Sequence, residues 1–144
     1  MFLVRCSFVE YFKNKLQHIK RLDDVLNEIF LIDDYIMGRM VMRDEELTIF
    51  RSVLPLFDKG LDIGDVAVGG GNFLVVVYDE LNKLEYLLRG RDSFVSNLKN
   101  ILRKNLFGLV GFDIDEKACT ITKFRLMLKY IEHFYFWKDR IGTW

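Results

Sequence analysis

Apolar residues recur at three- and four-residue intervals along most of the chain, as they do in helices that bury one stripe against a core. From Phe2 to Ile19 the apolar set is Leu3/Val4, Phe8, Tyr11/Phe12, Leu16 and Ile19, opposite Arg5, Glu10, Lys13, Asn14 and Gln17. A second helix is predicted from Leu22 to about Met40, with Asp23 and Asp24 in its first turn, where acids complement the helix dipole. A third opens at Asp44-Glu45-Glu46 and carries Leu47, Ile49/Phe50, Val53/Leu54 and Phe57, with Pro55 expected to loosen its last turn. Arg91 and Asp92 open a further helix with Phe94/Val95, Leu98, Ile101/Leu102 and Leu106 inward. A last helical region starts at Asp113 or Asp115, and its predicted core face is Ile121, Phe124, Leu128, Ile131 and Phe134/Tyr135.

The segment from Val66 to Leu88 supports two readings. Val66-Ala67-Val68 and Phe73 to Tyr78 are strand-like by propensity, with Gly69-Gly70-Gly71 between them. The same stretch runs on without a turn signal into helical spacing at Leu81, Leu84 and Leu87/Leu88, which suits a central helix apolar on every side. Asp58-Lys59-Gly60 reads as a stop before it, and Asp62 as the N-cap of the next element.

Composition narrows the class without naming a function. With 144 residues, 51% of them hydrophobic and 15% aromatic, the chain predicts one domain spanning residues 1–144 that needs neither disulfides nor a structural metal. Lys+Arg and Asp+Glu number 21 each, and this neutrality argues against a nucleic-acid partner. Cys6 and Cys119 lack metal-ligand spacing and are expected to be free thiols of a reducing compartment. The apolar run at the N-terminus stops at Arg5, too short for a signal peptide. The most apolar C-terminal stretch, Phe124 to Trp137, is broken by Arg125, Lys129 and Glu132, so no membrane anchor is expected. His18 and His133 stand alone, and no nucleophile elbow, metal cluster or metalloprotease motif is present. The glycine run lacks the Lys and Ser/Thr of a phosphate loop and the spacing of the dinucleotide fingerprint. The residues therefore predict a non-enzyme with no cofactor and no metal site.

One stretch carries a family resemblance. Leu56-Phe57-Asp58-Lys59-Gly60-Leu61-Asp62-Ile63-Gly64-Asp65-Val66-Ala67-Val68 aligns without a gap with the first homology motif of the Bcl-2 family of apoptosis regulators. Leu56, Phe57, Gly60 and Gly64 match outright, and Asp62 stands where the family has an Asn helix cap. Phe8-Val9-Glu10-Tyr11-Phe12-Lys13-Asn14-Lys15-Leu16-Gln17 resembles the family's first-helix motif. Gly111-Phe112-Asp113 resembles the glycine–tryptophan–acid core of the second homology motif, at close to the family's spacing. A short chain without a tail anchor resembles virus-encoded, pro-survival members.

The resemblance implies an all-α, Bcl-2-like bundle in which a central buried helix over about residues 62–80 is surrounded by amphipathic helices. It implies an inhibitor of apoptosis whose hydrophobic groove sequesters the BH3 helix of a pro-death partner. Carried over by position, the groove takes in Ile36, Met40, Leu47, Leu56, Asp62, Gly64, Asp65, Ala67 and Val68, with Phe112 closing one end. Gly64 would allow close approach of the ligand helix, whereas Asp65 replaces the family's arginine and would narrow the range of ligands. A homodimer, a host-cell cytoplasmic location and recruitment to mitochondria through a partner complete the expectation. The alternatives are a viral immune-modulatory protein of the same fold, or a small α/β enzyme with the glycine run in a strand–loop–helix.

Overall fold

The computed structural model describes residues 2–31 and 43–142, and among them the chain is predominantly helical. The elements in order are α1 (Phe2–Lys15), α2 (Leu22–Leu31), α3 (Asp44–Arg51), α4 (Leu54–Lys59), β1 (Ile63–Asp65), α5 (Asn72–Arg89), α6 (Arg91–Ser96), α7 (Leu98–Phe107), β2 (Leu109–Gly111) and α8 (Glu116–Gly142). The two short strands pair in parallel, Ile63 beside Leu109, Gly64 beside Val110 and Asp65 beside Gly111. Parallel strands require a crossover, and here α5, α6 and α7 supply it.

Helix α5 is the element on which the others are packed. Its Val77, Leu81, Leu84 and Leu88 enter one core with Phe8 and Phe12 of α1, Val25 and Leu26 of α2, Phe50 of α3 and Phe57 of α4. Its Leu74, Val75 and Tyr78 form a second core with Val68 and with Leu126 of α8. A third core joins Phe94 of α6 and Leu98, Ile101 and Leu102 of α7 to Trp137 of α8, against which Tyr86 of α5 stacks. A helix buried this broadly must also neutralise its polar residues. Glu80 is paired with Arg5 of α1 at 2.9 Å, both side chains buried. Glu85 is fully enclosed and receives Arg89, Lys104 and the Asn105 amide, the last at 2.7 Å. The Tyr78 hydroxyl donates to the Leu102 carbonyl at 3.0 Å.

The central buried helix expected over 62–80 exists, but it spans 72–89. Gly69 (φ +53°) and Gly71 (φ +84°) hold left-handed backbone that no α-helix contains, so the helix starts only after them. Asp62 is accordingly an exposed residue before β1 and not a helix cap. The predicted helix through Pro55 divides in two, with Pro55 in the first turn of α4, where its missing N–H costs nothing. The Arg91 helix divides at Asn97. The core face expected for the last helix is on the wrong side. Ile121, Phe124, Leu128, Ile131 and Tyr135 are exposed, and α8 instead buries Thr122, Leu126 and Trp137. Both faces of α8 are apolar, and periodicity alone does not tell which one meets α5 and α7. The predicted second helix is seen to Leu31, and its remainder lies outside the described residues.

The Glu85 cluster supplies a stability test. Glu85→Ala leaves Arg89, Lys104 and Asn105 without their shared acceptor, and urea unfolding should show a loss of about 3 kcal/mol. An unchanged midpoint would mean that the cluster does not hold α5 to α7.

Candidate functional site

The parallel pair brings two strand ends together, and a group of backbone and side-chain polar atoms meets there. Register is held at one end by Ile63 N–H donating to Gly108 C=O at 2.8 Å, and at the other by Phe112 N–H donating to Asp65 C=O at 2.8 Å. Gly108 is required at this approach, since a Cβ there would collide with the Leu61 carbonyl oxygen. Past β1, the Asp65 carboxylate accepts the Ala67 N–H at 3.1 Å and turns the chain. Val68 N–H then donates to Phe112 C=O at 2.9 Å, tying this turn to the end of β2. The side chain of Val68 is buried against Leu74 and Leu126.

Gly69-Gly70-Gly71 comes next, as the loop that delivers the chain into α5. Gly69 and Gly71 need their positive φ, and nothing lies within 4 Å of where a Gly69 Cβ would sit. Gly71 is closely covered, because a Cβ there would stand 2.9 Å from the Thr122 side chain. Helix α5 begins with Gly71 as its N-cap and without a side-chain cap, so its dipole and first amides face the loop.

Asp113 stands just beyond β2 and faces that loop. One carboxylate oxygen accepts the Gly69 N–H at 3.0 Å, and the other accepts the Asp115 N–H at 2.9 Å. These backbone donors hold the Asp113 carboxyl below the usual carboxylate range, although its surroundings are open to solvent. Each oxygen retains a further lone pair for an outside donor. Ile114, next along, is fully exposed and offers an apolar surface beside that carboxylate. Helix α8 then grips the loop from the other side. Thr122 Oγ1 donates to Gly69 C=O at 3.3 Å, and Arg125 Nη1 donates to Gly70 C=O and to Asn72 Oδ1, the latter at 2.8 Å.

The sequence-predicted groove residues divide between two places. Gly64, Asp65, Ala67, Val68 and Phe112 do come together, at the carboxyl ends of β1 and β2. Asp62 precedes β1 and instead edges an apolar cleft of about 230 Å³ between α1 and α5. Leu47 and Leu56 pack against the first core, away from these strand ends. Ile36 and Met40 lie outside the described residues. The motif read as a helix start therefore straddles the end of α4, a loop and β1, and Gly111-Phe112-Asp113 closes a strand. Sequence reasoning does not single out Asp113 or Arg125 as site residues. The signal for them is a strand-ending acid, a glycine run, a long helix and a second short apolar run ending in Asp113-Ile114-Asp115. Asp113 lies 44 residues beyond Gly69, far outside the spacing of about 20 residues that a dinucleotide fold shows after its glycine motif, because three helices make up the crossover.

In an alignment 133 positions long that covers 88% of the chain, it is 36% identical to a protein of Methanocaldococcus jannaschii named "Putative type II restriction enzyme and methyltransferase RM.MjaORFECS2P". It spans about a tenth (10%) of that much longer protein. No family model matches the chain, and no solved structure matches it. This likeness overturns the Bcl-2 resemblance, and with it the apoptosis-inhibitor function, the BH3-binding groove and the viral pro-survival identity that the resemblance implied. No helix among the described residues is long and apolar enough to cross a membrane. Cys6 and Cys119 are both free thiols, half-buried.

Gly71→Ala tests the loop geometry. Alanine at φ +84° is strained and meets Thr122, so chemical denaturation should show a loss of about 1–2 kcal/mol. A neutral substitution would contradict the left-handed conformation.

Proposed function

We propose that this chain forms the nucleoside-binding part of an S-adenosylmethionine-dependent methyltransferase. The observation that carries the reading is the bond between Gly69 N–H and Asp113 Oδ2, which joins the glycine loop after β1 to the acid after a parallel β2. Ligands of open α/β sheets bind outside the carboxyl ends of the strands, with a glycine loop, a helix N-terminus and a ribose-binding acid. A glycine loop, a helix N-terminus and an acid, Asp113, stand together at this end of the strands, which supports the reading. The likeness to a protein named as a methyltransferase supports a methyl donor over a dinucleotide. That name also pairs methylation with restriction, which supports DNA as the methyl acceptor of the longer polypeptide.

The residues fit such a ligand. Asp113, ionised and doubly anchored by backbone amides, accepts from the two hydroxyls of a ribose. Ile114 offers the purine ring an apolar face. Nothing lies within 4 Å of where a Gly69 Cβ would sit, which leaves that side of the loop open for close approach, and the uncapped α5 N-terminus favours a carboxylate. When bound, S-adenosylmethionine supplies a methyl group activated by its sulfonium sulfur. The chain's own part is to bind and orient the adenosine and amino-acid ends.

Isothermal calorimetry with S-adenosylhomocysteine tests this. Binding is expected, and Asp113→Ala should weaken it by about 100-fold, whereas Asp62→Ala should leave it unchanged. The folded-state pKa of Asp113 is depressed, so its charge is present above that value and lost only as pH falls through it. Affinity should therefore stay level from about pH 8 to about pH 5 and fall in more acid solution. Preferential binding of a nicotinamide dinucleotide, or no binding of either ligand, would overturn the reading.

A further inference from the structure

Two side chains of α8, one turn apart, hold every residue of the loop through which α5 is entered. Thr122 donates its hydroxyl to Gly69 C=O, and its side chain closes over Gly71 so tightly that a Cβ there would lie 2.9 Å away. Arg125 bridges the next two residues, donating from Nη1 to Gly70 C=O and Asn72 Oδ1. A guanidinium is well suited to this bridge, because it is always charged and presents its donors in a fixed plane. The carbonyls of Gly69 and Gly70 are thereby turned toward α8. In a peptide plane the amide N–H points opposite to the preceding carbonyl, so fixing Gly69 C=O and Gly70 C=O aims the N–H groups of Gly70 and Gly71 away from α8. Gly71 N–H is taken by Val68 C=O at 2.9 Å, which leaves the orientation of the Gly70 amide as the quantity that Arg125 and Thr122 set.

We infer that Arg125, seconded by Thr122, is a positioning residue that presets the glycine loop for a nucleoside ligand. The inference rests on the function proposed above. It also gives α8 a role that its packing does not explain. The helix succeeds Asp113 directly through two aspartate turns, at Asp115 N–H to Asp113 and Lys117 N–H to Asp115, both 2.9 Å. The acid that would meet the ribose and the clamp on the loop are thus borne by one continuous segment. Any shift of α8 moves both together.

The test compares wild type with Arg125→Met, Arg125→Lys and Thr122→Val, each checked for folding by thermal unfolding. In wild type, hydrogen exchange should show a protected amide at Gly71, which is buried and bonded to Val68 C=O. Arg125→Met should speed exchange at Gly71 at least 10-fold while amides of the α5 interior stay unchanged. By calorimetry, Arg125→Met should weaken S-adenosylhomocysteine by 10- to 30-fold with Asp113 intact. Arg125→Lys should restore part of that loss, since an ammonium keeps the charge and the donors but lacks the fixed planar geometry of the guanidinium. If wild type binds the ligand and Arg125→Met binds equally well, the inference fails while the methyltransferase reading stands. If wild type does not bind, that reading fails, and loop exchange alone decides the clamp. Unchanged exchange in Arg125→Met would then overturn it.

Discussion

The parallel register of β1 and β2 is the constraint on which the site depends. Two strands of three residues each cannot be stable by themselves, so their pairing depends on the helices packed around them. Gly108 permits the close approach to Leu61, and the bonds from Ile63 to Gly108 and from Phe112 to Asp65 fix the alignment. Once Asp65 stands beside Gly111, the residues after each strand must leave on the same side. One of these exits is a glycine run and the other is an acid. Shifting the pairing by a single residue would separate Gly69 from Asp113 and dissolve the site.

Helix α5 supports that pairing by being surrounded. Its apolar positions reach three separate cores, and its acids are matched from neighbouring helices, Glu80 by Arg5 and Glu85 by Lys104, Arg89 and Asn105. A further tie joins it to α8, where Asp79 faces His133 at 2.7 Å and Lys129 at 3.4 Å. Burial opposes the ionisation of Asp79, yet His133 and Lys129 together hold its carboxyl below the usual range. The helix that begins at the glycine loop is thus held from several sides, which suits a site whose ligand would rest against its first turn.

Much of this architecture is legible in the sequence. Helical spacing locates α1 to within a few residues and marks where α3 and α6 start, though not the breaks that divide each predicted helix in two, and the all-round apolar stretch through Leu81 and Leu88 does mark a central helix. The glycines are ambiguous because a glycine run tolerates both a helix-packing role and a left-handed turn, and propensity does not separate them. Assigning Gly69–Gly71 to a helix interior absorbs β1 into that helix and conceals its parallel partner. The same choice makes Gly64 and Gly111 look like motif glycines of a helical family. Both glycines lie in strands. The last helix is misread for a different reason, since apolar residues occur on two of its faces and only the contacts with α5 and α7 decide between them. Arg125, on that helix, reads in the sequence merely as a charge interrupting an apolar run, because its acceptors lie more than 50 residues earlier.

The most direct test is a titration of the isotopically labelled chain with S-adenosylhomocysteine, monitored through its backbone amide resonances. The account predicts that the largest shifts fall on Gly69, Gly70, Asp113 and Ile114, at the two strand ends together, with α1 and α3 unmoved. Shifts confined to the cleft lined by Phe8, Tyr11 and Val77, or no shifts at saturating ligand, would contradict it.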